Sequence, residues 1–140
     1  MGAYCAAVAE VEVGRDVRVD RLILAVDVGL VINPDGVINQ IEGGAIQSTS
    51  WTLKEQVKLG ARGIASLGWE DYPILKFSEA PPVEVELLNH PELPAVGAGE
   101  AAQGPTAAAI ANAVAHALGL RVRDLPLTHE RIAAAISQST

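Results

Sequence analysis

One cysteine, Cys5, is all the thiol chemistry these 140 residues carry. No disulfide can form within the chain, and it can supply neither a multi-cysteine zinc site nor the ligands of an iron–sulfur cluster. Aromatic residues make up 4% of the sequence, so the core has to be aliphatic, drawn from Ala, Val, Leu and Ile. Basic residues are the minority charge, ten against seventeen acidic, for a net charge of −7. A surface of that sign excludes nucleic acid and anionic membranes as natural partners. No apolar run is long enough to span a membrane. Residues 1–5 lack the basic region and apolar stretch of a signal peptide.

What is present is a chain with 49% hydrophobic and 19% charged residues. It is too apolar and too lightly charged to stay disordered. Its length is that of one domain over residues 1–140, able to bury about two-thirds of its unfolded surface. Strand-like sequence begins almost at once, as expected of a piece of a larger protein or of a small subunit. Residues 5–13 end in clean alternation, with Ala9, Val11 and Val13 on one side and Glu10 and Glu12 on the other, the pattern of a half-buried strand. Gly14-Arg15-Asp16 predicts a hairpin turn into a second strand over residues 17–28. The second half of that strand, Leu22-Ile23-Leu24-Ala25-Val26, is apolar on both faces and predicts a covered interior.

Asn33-Pro34-Asp35 marks a helix start: an N-cap, a proline at the first helical position and an acid in the first turn. Val37, Ile38, Ile41, Ala45, Ile46, Thr49 and Leu53 then recur at helical spacing to about residue 54. A short strand is expected over residues 55–59, followed by a loop with irregular backbone through Trp69-Glu70-Asp71-Tyr72-Pro73. Pro81-Pro82 opens a further strand over residues 83–88. A helix is expected from Pro105 to Leu118, stopped by Gly119. A short final helix, capped by Thr128, runs to Ile136 and leaves residues 137–140 frayed. The resulting fold class is α+β, a two-layer arrangement with helices packed on one face of a sheet.

Two stretches carry candidate chemistry. Gly97-Ala98-Gly99-Glu100 places a carboxylate among tiny residues, where another molecule can approach closely. Partly desolvated there, Glu100 can serve as a general base near neutral pH. The alternative is a solvated loop glutamate favoured by the dipole of the helix that follows. Gly97, Gly99 and Gly104 do not have the G-x-G-x-x-G spacing of a dinucleotide loop directly after a strand, and no Lys-Ser/Thr completes a P-loop. In the second stretch, Gln40, Gly43, Gly44 and Gln47 lie at i, i+3, i+4 and i+7 and share a helix face. Two amides over a bare backbone strip could hydrogen-bond a polar cofactor. They could equally allow close packing with exposed glutamines. His90, His116 and His129 are scattered and make no metal pattern, and His116 suits a helix C-terminus. Ser48, Thr49 and Ser50 have no base spaced to form a triad, and Cys5 reads as a buried strand residue.

Asn33-Pro34, Gln40-Ile41-Glu42-Gly43-Gly44, Asp71-Tyr72-Pro73 and Gly97-Ala98-Gly99-Glu100 with Pro105, in this order, resemble the C-terminal portion of the molybdopterin-binding subunit of the xanthine dehydrogenase/aldehyde oxidase family. The isoquinoline 1-oxidoreductase β-subunit type is the nearest branch. The resemblance runs from about Ala7 to Ile136. It implies a molybdenum hydroxylase that oxidises N-heterocycles or aldehydes with water as oxygen donor, using a molybdenum-pterin cofactor in its dinucleotide form. Glu100 matches the glutamate that acts as general base in that family. Gln40 matches a pterin contact, with Gly43 and Gly44 beside it, and Gly99 would stand beside the metal. No residue of this chain is expected to bind the metal directly. The family's subunit is several times longer, which implies the remainder of the molybdenum-binding subunit and an iron–sulfur subunit as partners. The chain alone would then be inactive and without cofactor, and apt to form a homo-oligomer through orphaned surface.

Overall fold

The computed structural model describes residues 2–139. The alternating N-terminal residues form β1 (Tyr4–Val13), which turns through Gly14–Asp16 into β2 (Val17–Asp27). The two pair antiparallel from Val13 opposite Val17 to Tyr4 opposite Asp27, with a register shift between Glu10 and Val11. Leu22, Leu24 and Val26 point inward and are fully buried. The covered interior expected on both sides of β2 is present on one side only: Ile23 and Ala25 are half-buried. They share their face with Val8 and Ala6 of β1, where Val8 is 59% exposed, and no described helix covers it. On the same face Arg21 bridges Glu10 (2.6 Å) and Glu84 (3.2 Å) across all three strands.

The third strand, β5 (Val83–Leu88), lies on the other side of β2 and parallel to it, so the sheet order is β1-β2-β5. A parallel pair needs a long crossover. It is supplied by α1 (Pro34–Leu53) and the excursion that follows it. Asn33 caps α1 as expected, its side chain accepting from the Gly36 N–H at 3.1 Å. The buried stripe of α1 is more polar than its spacing implied: Ile41 and Ala45 are joined by Ser48, Thr49, Ser50 and Thr52. Three of these four hydroxyls have a hydrogen-bond partner. Ser48 donates to the Gln103 carbonyl (2.7 Å), Thr49 to the Ala45 carbonyl (2.9 Å), and Ser50 Oγ accepts the Leu75 N–H (2.9 Å).

The strand expected over residues 55–59 is instead a minimal hairpin, β3 (Leu59–Gly60) with β4 (Gly63–Ile64). Gly63 at φ +114 makes the turn that the residue pattern alone does not position. Below it, Lys54 at the end of α1 meets Glu79 at 2.6 Å in a short 3-10 turn (Phe77–Glu79). That contact, and the Lys76 N–H that the same carboxylate accepts, hold the Glu79 carboxyl below the usual range.

The alanine-rich helix α2 (Gln103–Leu118) starts two residues before Pro105, which sits in the first turn where its missing N–H has no partner to lose. Its buried positions Thr106, Ile110 and Val114 recur every fourth residue. Gly119 ends it in the left-handed conformation at φ +69. The last helix, α3 (His129–Ser139), buries Ile132 and continues past Ile136, with Ser137 Oγ donating to the Ala133 carbonyl at 2.9 Å. Residues 137–139 are therefore helical where fraying was expected, and Thr140 lies outside the described residues. The result is a small mixed α/β fold with an aliphatic core of Leu22, Leu24, Val26, Ile41, Ile110 and Val114. No described helix is long and apolar enough to cross a membrane.

Candidate functional site

Because β2 and β5 run parallel, their C-terminal ends emerge together, and open α/β sheets place ligands beside such ends. Beyond β2 the chain turns at Gly29, whose φ is +69 and whose absent Cβ would stand 2.2 Å from the Pro94 carbonyl oxygen. Asp27 builds this turn by accepting the Gly29 N–H at 2.8 Å. Beyond β5, His90 sits with Nδ1 at 2.9 Å from the other oxygen of Asp27. The backbones of the two turns then interlock. The His90 N–H donates to the Gly29 carbonyl (3.2 Å), Leu30 N–H to the Leu93 carbonyl (3.2 Å), and Val96 N–H to the Val28 carbonyl (3.0 Å).

From Val96 the chain enters Gly97-Ala98-Gly99-Glu100. Here the two predicted stretches meet. Gln40 Nε2 on α1 donates to the Gly99 carbonyl at 2.8 Å, across 59 residues of sequence. Further along the same helix face, Gln47 Oε1 accepts from the Gln103 side chain at 3.1 Å. A Cβ at Gly44 would lie 3.5 Å from the Ala102 Cβ, so Gly44 is buried where α1 meets the entry to α2. Gly43 and Gly99 differ from it: a Cβ at either would meet nothing within 4 Å. The face read from spacing thus divides its work. Gln40, Gly44 and Gln47 hold the loop and the α2 entry, and Gly43 faces open space.

An open groove of about 380 Å³ runs between the start of α1 and this loop, lined by Val28, Leu30, Ile32, Asn33, Gly36, Val37, Gln40, Ala95, Val96, Ala98 and Gly99. Glu100 stands next to it in sequence. Of the two readings of Glu100, partly desolvated or solvated, this chain by itself shows the solvated one: Glu100 is exposed. The reason is its neighbours, since Gly99, Ala101 and Ala102 are too small to cover a glutamate side chain. A larger cavity of about 710 Å³ lies at the opposite end of the sheet, between residues 16–20, 73–82 and 127–130, and contains none of the predicted site residues.

Other sequence assignments resolve simply. Tyr72 donates to Glu55 at 2.8 Å, which pushes its phenol up. His129 Nδ1 lies 2.8 Å from the Arg15 carbonyl, and His116 is exposed in the last turn of α2. Cys5 is half-buried on β1, and burial pushes its thiol up. Sequence reading missed Asp27, Gly29 and His90. An Asp two residues before a glycine is a turn signal, but nothing local pairs it with a histidine 63 residues away.

Nearly the whole chain is similar to known proteins. The chain is 47% identical over 137 residues to a nicotinate dehydrogenase subunit of Pseudomonas putida, covering 96% of this chain and 12% of that protein. It is 37% identical over 128 residues to the beta subunit of isoquinoline 1-oxidoreductase of Brevundimonas diminuta, covering 89% of this chain and 16% of that protein. The aldehyde oxidoreductase of Desulfovibrio gigas superposes with a TM-score of 0.84 at 28% identity, over 96% of this chain and 15% of that one. The chain therefore spans less than a fifth of the length of these proteins. Residues 1–81 match the molybdopterin cofactor-binding domain, and with relatives among the molybdenum-binding subunits of the xanthine dehydrogenase/aldehyde oxidase group, the chain belongs to the molybdopterin cofactor-binding domain family.

Proposed function

We propose that this chain supplies the general base and one wall of the cofactor site to a molybdenum hydroxylase that oxidises N-heterocycles or aldehydes with water as oxygen donor. The observation that carries the reading is the 2.8 Å bond from Gln40 to the Gly99 carbonyl, which joins the amide-bearing helix to the loop that presents Glu100. The residues fit a pterin. The groove is open and Gly99 lines it without a side chain, Gly43 leaves open space one turn along α1 from Gln40, and the Gln40 amide uses its donor end on the loop, leaving its acceptor end for a pterin N–H. When bound, the molybdenum-pterin group, in its dinucleotide form, supplies the electron-accepting chemistry.

This chain's own part is positioning and proton transfer. Gln40 sets the loop, Gly99 admits close approach, and the Glu100 carboxylate takes a proton from the water-derived nucleophile as it attacks the substrate carbon. Gly44 contributes by fixing α1 against α2. The remaining pterin contacts, the walls that cover Glu100 and the iron–sulfur centres belong to the rest of the molybdenum-binding subunit and to an iron–sulfur subunit. The isolated chain is inactive on this reading. We read the helices as one layer against the inner face of the sheet, with the outer face turned toward those partners.

Glu100→Gln in the assembled enzyme is the test. Loss of a general base costs about 10²–10⁴ in rate, while molybdenum content stays at the wild-type level. Near-normal turnover refutes the assignment. A second reading, a self-associating module without catalytic role, draws on the exposed Leu67 (85%), Trp69 (75%) and Phe77 (99%), an apolar display that marks association surfaces. Light scattering on the purified chain separates them: a monomer with an intact fold counts against the module.

A further inference from the structure

We propose that Asp27 and His90 are a positioning pair that fixes the reach of Glu100, a role that rests on the reading of Glu100 as the general base. Asp27 closes β2 and His90 follows β5. The Asp27 carboxylate is fully engaged: one oxygen accepts the Gly29 N–H at 2.8 Å and the other faces His90 Nδ1 at 2.9 Å. A carboxylate oxygen accepts, so Nδ1 carries the proton. The Asp27 side chain is only 17% exposed, and a partly buried contact is screened less by solvent than a surface pair.

The pair ties two turns that have no slack between them. The Pro94 carbonyl occupies the place of a Gly29 side chain, and the His90 N–H reaches the Gly29 carbonyl at 3.2 Å. From this joint the chain runs to Val96, pinned to the Val28 carbonyl at 3.0 Å. Three residues on, Gly99 is pinned by Gln40, and Glu100 comes next. The loop that carries the carboxylate thus hangs between two posts. Asp27 and His90 set the first of them and touch neither the groove nor Glu100. Releasing the pair frees the Val96 post while Gln40 keeps the other, so the carboxylate swings while the fold persists. Displacing a reacting group by about 1 Å can cost about 10²-fold in rate.

Amide hydrogen exchange on this 140-residue chain tests the joint directly. His90→Ala is expected to speed exchange at Gly29 and Val96 by at least about tenfold, with the Leu24 and Ile110 amides unchanged. His90→Asn, which puts an amide N–H near the place of Nδ1, is expected to restore most of the protection. Unchanged exchange at Val96 in His90→Ala overturns the proposal, as does equal acceleration at Leu24 and Ile110. In the assembled enzyme the same His90→Ala is expected to lower kcat about 10- to 100-fold with KM and molybdenum content held, and His90→Asn to recover most of it. A loosened Val96 with unchanged kcat also overturns the positioning role. If Glu100→Gln turns over normally, the base reading falls, and the exchange result still decides whether the joint exists.

Discussion

Gly43→Ala separates what the chain needs to fold from what its site needs to work. Gly43 lies inside the 20-residue helix α1, where glycine is less favourable than alanine by about 0.5–1 kcal/mol. An added Cβ would meet nothing within 4 Å, so no clash offsets the gain. The substitution is therefore expected to stabilise the isolated chain by about 0.5–1 kcal/mol. For a chain of this length that raises the melting temperature by roughly 2–4 °C. In the assembled enzyme the same methyl group intrudes on the strip between Gln40 and Gln47, and molybdenum retained after gel filtration is expected to fall. Urea denaturation gives the first quantity and metal analysis the second. Unchanged or lower stability would refute the claim that the site is empty of protein contacts. A stabilised protein with full molybdenum content would refute the claim that this strip faces the cofactor.

Gly29→Ala is expected to do the opposite. It forces a side chain into the left-handed region, which costs about 1–2 kcal/mol, and against the Pro94 carbonyl at 2.2 Å, so a loss of at least about 2 kcal/mol in urea unfolding is expected; a loss under about 1 kcal/mol would show that the two turns are not in contact. The Thr106 hydroxyl is buried without a partner among the described residues, and Thr106→Val should raise stability by about 1 kcal/mol because an unpaired buried hydroxyl carries a desolvation penalty; a clear loss would reveal a partner. Glu79 has its carboxyl held below the ordinary value of 4.5, chiefly by Lys54. Its contribution to stability is complete above about pH 4.5 and disappears as pH falls through the lower folded-state value. The stability gap between wild type and Glu79→Gln is therefore expected to be flat from pH 7 to 5 and to close in more acid solution; a gap that widens on acidification would reverse the sign of this reasoning.

Local signals account for much of the fold. Alternation places the β1–β2 hairpin, Asn33-Pro34 places the start of α1, and Gly119 places the end of α2, because each depends on a few neighbouring residues. The parallel pairing of β2 with β5 has no such signal, since it is decided by where α1 packs. The same holds for the site. Spacing gathers Gln40, Gly43, Gly44 and Gln47 onto one face, and small residues single out Glu100. The contact that joins them spans 59 residues. The polar run Ser48, Thr49 and Ser50 gives no sign of its burial because its acceptors and donors, at Gln103, Ala45 and Leu75, are mostly remote. The small residues around Glu100 allow either a solvated or a partly covered carboxylate, and only the packing decides that it is exposed in this chain.

The contact between Lys54 and Glu79 has a consequence for how such a chain diversifies. It closes the neck of the excursion between α1 and β5, and every residue of the candidate site lies outside that excursion. Loop closure becomes only slightly more costly as a loop lengthens. Insertions, deletions or wholesale exchange of residues 57–70, which leave the Tyr72 and Leu75 contacts to Glu55 and Ser50 in place, can therefore remodel the apolar surface around Leu67 and Trp69 without transmitting a shift to Gln40 or Glu100. Descendants of one fold could acquire new neighbours through this appendage while inheriting the same reaction chemistry.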